Sequence, residues 1–275
     1  MGIYFDGTNE YTMKLYDIYS KILKNEAGQV IVEGIRDTGK DLVFMPRTGR
    51  DAETHVCNAD TYVPPSQRED RSPYGVSKLN GNYYHGDDDD PDTPEDERYI
   101  QVNTGRIGTG KGVDVTIYFS PDDYYKSKCN HGGPGAQVDD VLHHEMVHAL
   151  RSMQGQFNPI PTKNKDYDTD EEFLAIVATN VYISAKGGTR FRAGHHGYKL
   201  LNAPLNTSSG FIDNKDNWDL MNIYRLSWDR IFAGLSMVAS ATFNPFRELV
   251  VKLAYQTEKT AAGQRANVRW HPNRV

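Results

Sequence analysis

The segment VLHHEMVHAL, residues 141–150, constrains the fold more than any other stretch of this chain. Its apolar residues suit a buried helix, yet it also carries three histidines and a glutamate. A buried imidazole or carboxylate needs a partner, because taking it out of water unpaired is costly. The fold therefore has to wrap other elements around residues 138–151 and bring polar groups to meet the ones this helix carries.

Within H-E-x-x-H, His144 and His148 are four residues apart, so on a helix they stack on one face, about 6 Å apart along the axis. That spacing lets two imidazoles hold one zinc ion, with nitrogens about 2.0–2.1 Å from the metal. Glu145 projects about 100° round from His144, towards a water on the metal's open position. Zinc lowers the pKa of that water towards 7 and the carboxylate takes its proton, giving a nucleophile for a peptide carbonyl. An exposed histidine pair would normally have charged neighbours, whereas Val141, Leu142, Met146, Val147, Ala149 and Leu150 surround this one. The expectation is one Zn2+ per chain, with His144 and His148 as ligands and Glu145 as general base.

A catalytic zinc wants a third protein ligand. The metzincin pattern fails, since Arg151 stands where its glycine belongs and Gln154 where its third histidine belongs. The stretch TDEEFLAIV opens the next helix after a short loop, so a carboxylate in its first turn can face back towards the metal. Glu172 is the first choice and Glu171 the second, with Asp166 and Asp168 in the preceding loop behind them. Thr169-x-x-Glu172 also fits a capping box, in which Glu172 merely closes the helix start. If Asp170 is instead the N-cap, both glutamates are first-turn acids favoured by the helix dipole. For the oxyanion of the tetrahedral intermediate, Tyr167 is placed well, five residues before Glu172. The chain has 17 tyrosines, though, and most tyrosines pack. His143, His195 and His196 are the other polar candidates, with a surface role the plainer reading of each.

Elsewhere the pattern is mixed. Residues 11–25 place Met13, Tyr16, Tyr19, Ile22 and Leu23 at helical spacing, with Gly28 as a stop. QVIVEGI and DLVFMP read as two strands of a hairpin turning at 36–40. From 47 to 98 the periodicity disappears, and the acidic run at 86–97 reads as a mobile loop tip. RYIQVN (98–103) and VDVTIYFSP (113–121) are strand-like. DEEFLAIVATNVYISAK is a helix ended by Gly187-Gly188, and further helices are expected near 217–240 and from Asn244-Pro245. Strands early and helices late, with no internal repeat, give one α+β domain over 1–275: a small mixed or antiparallel sheet, the H-E-x-x-H helix and a helical C-terminal part.

Composition narrows function by exclusion. A formal net charge of −6 argues against nucleic-acid binding, which needs a basic face. Two cysteines, Cys57 and Cys129, are too few for a disulfide framework or a cysteine zinc site. The opening MGIYFDGTNEYTMK lacks the basic and apolar regions of a secretory signal, and 231–243 is too short to span a bilayer. The expectation is a soluble protein with no transmembrane segment.

The whole stretch VLHHEMVHAL fits the extended zincin consensus, and Glu-Glu-Phe-Leu-Ala (171–175) resembles the glutamate-bearing helix of gluzincins. The order of an N-terminal helix and hairpin, then H-E-x-x-H-A, then a Glu-Glu helix is similar to the M91 family of bacterial effector metallopeptidases, over residues 10–45 and 113–185. That resemblance implies His144, His148 and Glu172 as zinc ligands and Glu145 as base. It implies a zinc endopeptidase acting on protein or peptide substrates, secreted without a standard signal and delivered to a target cell. In zincins the strand before the active-site helix lies at the sheet edge and pairs with extended substrate; VDVTIYF is the segment for this, or it is an ordinary core strand, and the sequence does not separate the two. Two alternatives stand beside the endopeptidase: a catalytically silent zincin-like binding module, and a zinc amidase acting on cell-wall peptides. Glu145 separates the first, since a structural zinc needs no base, and a substrate panel separates the second.

Overall fold

The computed structural model describes residues 2–48, 59–67, 70–72, 74–76, 102–107, 109–125, 132–162, 164 and 166–268. The acidic run at 86–97, Cys57 and Cys129 lie outside the described residues.

The chain opens with a short strand β1 (Ile3–Phe5) and a helix α1 (Asn9–Leu23), capped by Thr8, whose hydroxyl accepts from the Tyr11 amide at 3.2 Å. Leu15, Ile18, Tyr19 and Ile22 form its buried stripe. The QVIVEGI segment corrects the hairpin expectation: it lies in a second helix, α2 (Glu26–Asp37). Asn25 caps α2 by accepting from the Ala27 and Gly28 amides at 2.9 and 3.3 Å. Its buried residues, Ala27, Ile31, Val32 and Ile35 among them, recur at helical spacing, and that packing overrides the strand preference of the β-branched run. Gly28 is no stop. It sits inside α2 against Ile22, where a Cβ would come within 2.1 Å of the Ile22 carbonyl oxygen.

Strand β2 (Leu42–Met45) follows, then β3 (Asp60–Tyr62), β4 (Tyr74–Val76), β5 (Val102–Ile107) and β6 (Val115–Tyr118). The main sheet is mixed and runs in the order β1-β2-β6-β3, with β1, β2 and β6 parallel and β3 antiparallel to β6. VDVTIYF is therefore an interior strand, paired on both sides, and among the described residues the edge next to it is β3. The sequence order concealed this, because β3 comes from a stretch without periodicity and returns to cover β6. Leu42, Phe44, Val115 and Ile117 alternate into the core. β4 and β5 form a separate antiparallel pair.

After a short helix α3 (Pro121–Tyr125) come the two helices that matter most, α4 (Val138–Met153) and α5 (Asp170–Ala185). α4 packs on α5, α1, α2, β3 and β6 and is buried from Asp139 to Met153. α5 is almost entirely buried, in keeping with apolar residues all round it. It ends where Gly187 takes a positive φ of 87°. The remaining helices are α6 (Ser208–Asp213), α7 (Lys215–Ser227), α8 (Asp229–Ser236) and α9 (Pro245–Val268). The helix expected near 217–240 is thus two, broken at Trp228, whose indole N–H donates to Gln154 of the turn after α4 at 2.7 Å. Asn244 caps α9 by accepting from the Arg247 amide at 3.1 Å. A mixed sheet with helices segregated around it is an α+β fold. Among the described residues no helix is long and apolar enough to cross a membrane.

Candidate metal centre

α4 presents His144 and His148 on one face, with their Nε2 atoms 3.1 Å apart and their rings perpendicular. α5 meets them with its first turn. Glu172 Oε2 lies 3.2 Å from His144 Nε2, and Glu172 Oε1 lies 3.1 Å from His148 Nε2. The N-cap is Thr169, whose hydroxyl accepts from the Glu172 amide at 3.2 Å. Glu172 thus takes the capping position with its backbone while its carboxylate goes to the histidines.

Burial pulls His144 down to about 4, against the pull of Glu172 and with the repulsion of His148. Burial also disfavours charge on His148, but Glu172 and Glu171 outweigh it and hold His148 well above the usual imidazole range. Burial raises Glu172, and the charges of His195 and His148 more than reverse that, leaving the carboxyl well below the usual range. Glu172 Oε2 has no well-formed hydrogen bond among the described residues. Nitrogens and oxygens bound tetrahedrally to zinc at about 2.0–2.1 Å are about 3.3 Å apart. The two imidazole nitrogens, 3.1 Å apart, and the two Glu172 oxygens, each 3.1–3.2 Å from one of them, come close to that, so the residues present fit the metal.

Glu171 is next to Glu172 but points elsewhere. One of its oxygens lies 3.6 Å from His148 Nδ1, the ring nitrogen away from the donor triangle. The other accepts from Arg151 Nε at 3.3 Å and from the Asn158 amide at 2.9 Å. At 3.6 Å the His148 contact is an ion pair without a well-formed hydrogen bond, and it favours the charged form of His148. Arg151, the residue that breaks the metzincin pattern, is what anchors Glu171 there.

His195 closes another side. Its Nδ1 lies 2.6 Å from Asp168 Oδ2, its Nε2 lies 3.7 Å from Glu172 Oε2, and its ring is nearly parallel to that of His144 at 6.5 Å. The loop carrying it is held by Arg192, which donates to the Gly194 carbonyl at 2.8 Å and to the His195 carbonyl. Asn180 of α5 brackets the Arg192 backbone at 2.8 and 2.9 Å. Asp168 is thereby occupied by His195, and Asp166 is exposed in the loop.

Tyr167 is buried against Phe173, edge-on at 5.0 Å, and belongs to the hydrophobic core. Burial pushes its hydroxyl well up. His143 is also turned away, stacked on Tyr182 at 4.4 Å with Nδ1 3.2 Å from Thr179. His196 starts the turn His196–Tyr198.

Glu145 follows His144 and can offer an oxygen within 4.8 Å of ring nitrogens of both His144 and His148. That proximity also suits Glu145 as a ligand. The ion-pair distances favour Glu172 for that part, since it bridges both Nε2 atoms at 3.1–3.2 Å. Glu145 Oε2 is instead engaged by the Thr61 hydroxyl at 2.7 Å. Nothing in the sequence pointed to Thr61, which lies in a stretch without periodicity.

The family model Peptidase_M91, described as effector protein, matches residues 1–185, about two thirds of the chain. No curated protein and no solved structure matches the chain.

Proposed function

The chain belongs to the M91 peptidase family of effector proteins, and from that premise we propose that it is a zinc-dependent endopeptidase delivered to target cells, where it cleaves protein substrates. The observation that supports this best is the donor triangle of His144, His148 and Glu172, with Glu145 beside it. A zinc ion held by these three residues supplies an acidified water and an electrophile for the scissile carbonyl. Glu145 accepts the proton of the attacking water and passes it to the leaving amine. Glu171 lies beside His148 as a counter-charge and is itself held by Arg151. For the oxyanion, His195 is better placed than Tyr167. Asp168 on its Nδ1 leaves Nε2 aimed at the centre, while Tyr167 is committed to packing. The edge strand β3, rather than β6, is the strand that a substrate can extend.

The test is cleavage of a quenched-fluorescence peptide library by the zinc-loaded chain and by Glu145→Gln. The variant should bind zinc normally and lose at least about a thousandfold in kcat, since general-base catalysis and its coupling to the nucleophile are removed together. Undiminished cleavage by Glu145→Gln, or no cleavage of any peptide by the zinc-loaded wild type, contradicts the reading.

A further inference from the structure

A helix fixes the Cα of a glutamate but leaves three side-chain torsions free, and a general base works only if its oxygen is aimed. In this chain the aim comes from the sheet. Along β3, successive side chains point to opposite faces. Tyr62 packs against its diagonal neighbour Tyr118, with ring centroids 5.8 Å apart, and Asp60 pairs with Arg47. Thr61 points to the other face, towards α4. Its hydroxyl lies 2.7 Å from Glu145 Oε2 and 3.1 Å from the Glu145 carbonyl oxygen. A hydroxyl has one proton to give, and the shorter contact to a charged oxygen takes it.

The strand itself is well held for this task. Thr61 sits opposite Ile117 of β6, and Ala59 and Val63 on either side are buried. The hydroxyl is thus carried on a backbone pinned to the sheet, one strand away from the helix it reaches.

We propose that Thr61 is a positioning residue for the general base. It holds Glu145 Oε2 and so fixes the direction in which the carboxylate is presented for proton transfer. This inference rests on the reading of Glu145 as the base. It also gives β3 two tasks, an outer edge open to substrate and an inner face that aims the base.

The test compares wild type, Thr61→Val, Thr61→Ser, Glu145→Gln and the Thr61→Val/Glu145→Gln double variant, using the best-cleaved peptide of the library. Valine keeps the branched shape that suits the strand and removes only the hydroxyl. Thr61→Val should lower kcat by about tenfold to a hundredfold, as small misplacements of catalytic groups do. KM and zinc per chain should be unchanged, and Thr61→Ser should restore most of the loss. In the Glu145→Gln background, Thr61→Val should cost nothing more, because the group it positions is already gone. Full activity of Thr61→Val beside an inactive Glu145→Gln overturns this inference and leaves the base in place. A loss that serine does not recover, or that comes with lost zinc, makes Thr61 merely structural and also overturns it. An active Glu145→Gln removes the base and Thr61's role together.

Discussion

The N-terminal turn of α4 and its middle both bury charged side chains against α5, with opposite outcomes. At the N-terminal end, Lys186 lies 2.6 Å from both Asp139 and Asp140 and donates to Asp139, which also accepts from the Tyr182 hydroxyl at 2.8 Å. His143 stacks on Tyr182 and pairs with Thr179. Unlike charges and ring faces answer one another there, while Asp140 Oδ1 and His143 Nε2 make no well-formed hydrogen bond among the described residues. One turn further along, His144 and His148 turn their Nε2 atoms towards one another and each faces one oxygen of Glu172, with His195 and Glu145 beside them. Burial and polarity are common to both clusters. Convergence of ligand atoms belongs to only one, and that is what marks a site for a cation.

Removing the ring that stands beside the triangle without belonging to it puts the largest strain on this contrast. His195→Ala should lower kcat by about a hundredfold to a thousandfold, the usual cost of one oxyanion donor, with zinc per chain intact. Steady-state kinetics and elemental analysis on the same sample check it. A sharp loss of zinc would make His195 a fourth ligand and enlarge the triangle.

The N-terminal cluster should instead speak through stability. Burial raises Asp140 to about 6 against the pull of Lys186, with Asp139 adding repulsion. A folded-state pKa above the unfolded value means that the native state binds the extra proton. The stability it contributes is therefore full below about pH 4 and lost as pH rises through 6. With Asp140 almost fully buried, that change is on the order of 3 kcal/mol. Asp139 is shifted the opposite way, so its own effect falls at lower pH. Asp140→Asn should flatten the fall in stability between pH 4 and 6 and leave zinc binding alone. Denaturant titrations across that range measure it, and an unchanged slope would refute the assignment.

Much of the site could be read from the chain because it is local. H-E-x-x-H lies within one helix, and a short connection to the next helix was enough to point at Glu172. The choice between cap and ligand was not readable, because it turns on where the carboxylate goes: Thr169 caps the Glu172 amide, while the carboxylate oxygens lie 3.1–3.2 Å from His144 and His148 Nε2. What stayed hidden depends on distant contacts. The pairing of Asp168 with His195 requires a loop to fold back across the start of α5. Thr61 reaches Glu145 only because β3 returns to cover β6. In the fold, Val30-Ile31-Val32 looked like a strand, and the contrary signal was a single capping residue, Asn25. Propensity misleads where tertiary packing decides.

Zinc per chain, measured by elemental analysis on wild type and Glu172→Ala after identical zinc loading and desalting, tests the convergence most directly. The expected result is about one zinc in the wild type and sharply less in the variant, because two histidines alone hold the ion weakly. Full zinc in both, or none in either, contradicts the assignment of His144, His148 and Glu172 as the metal centre.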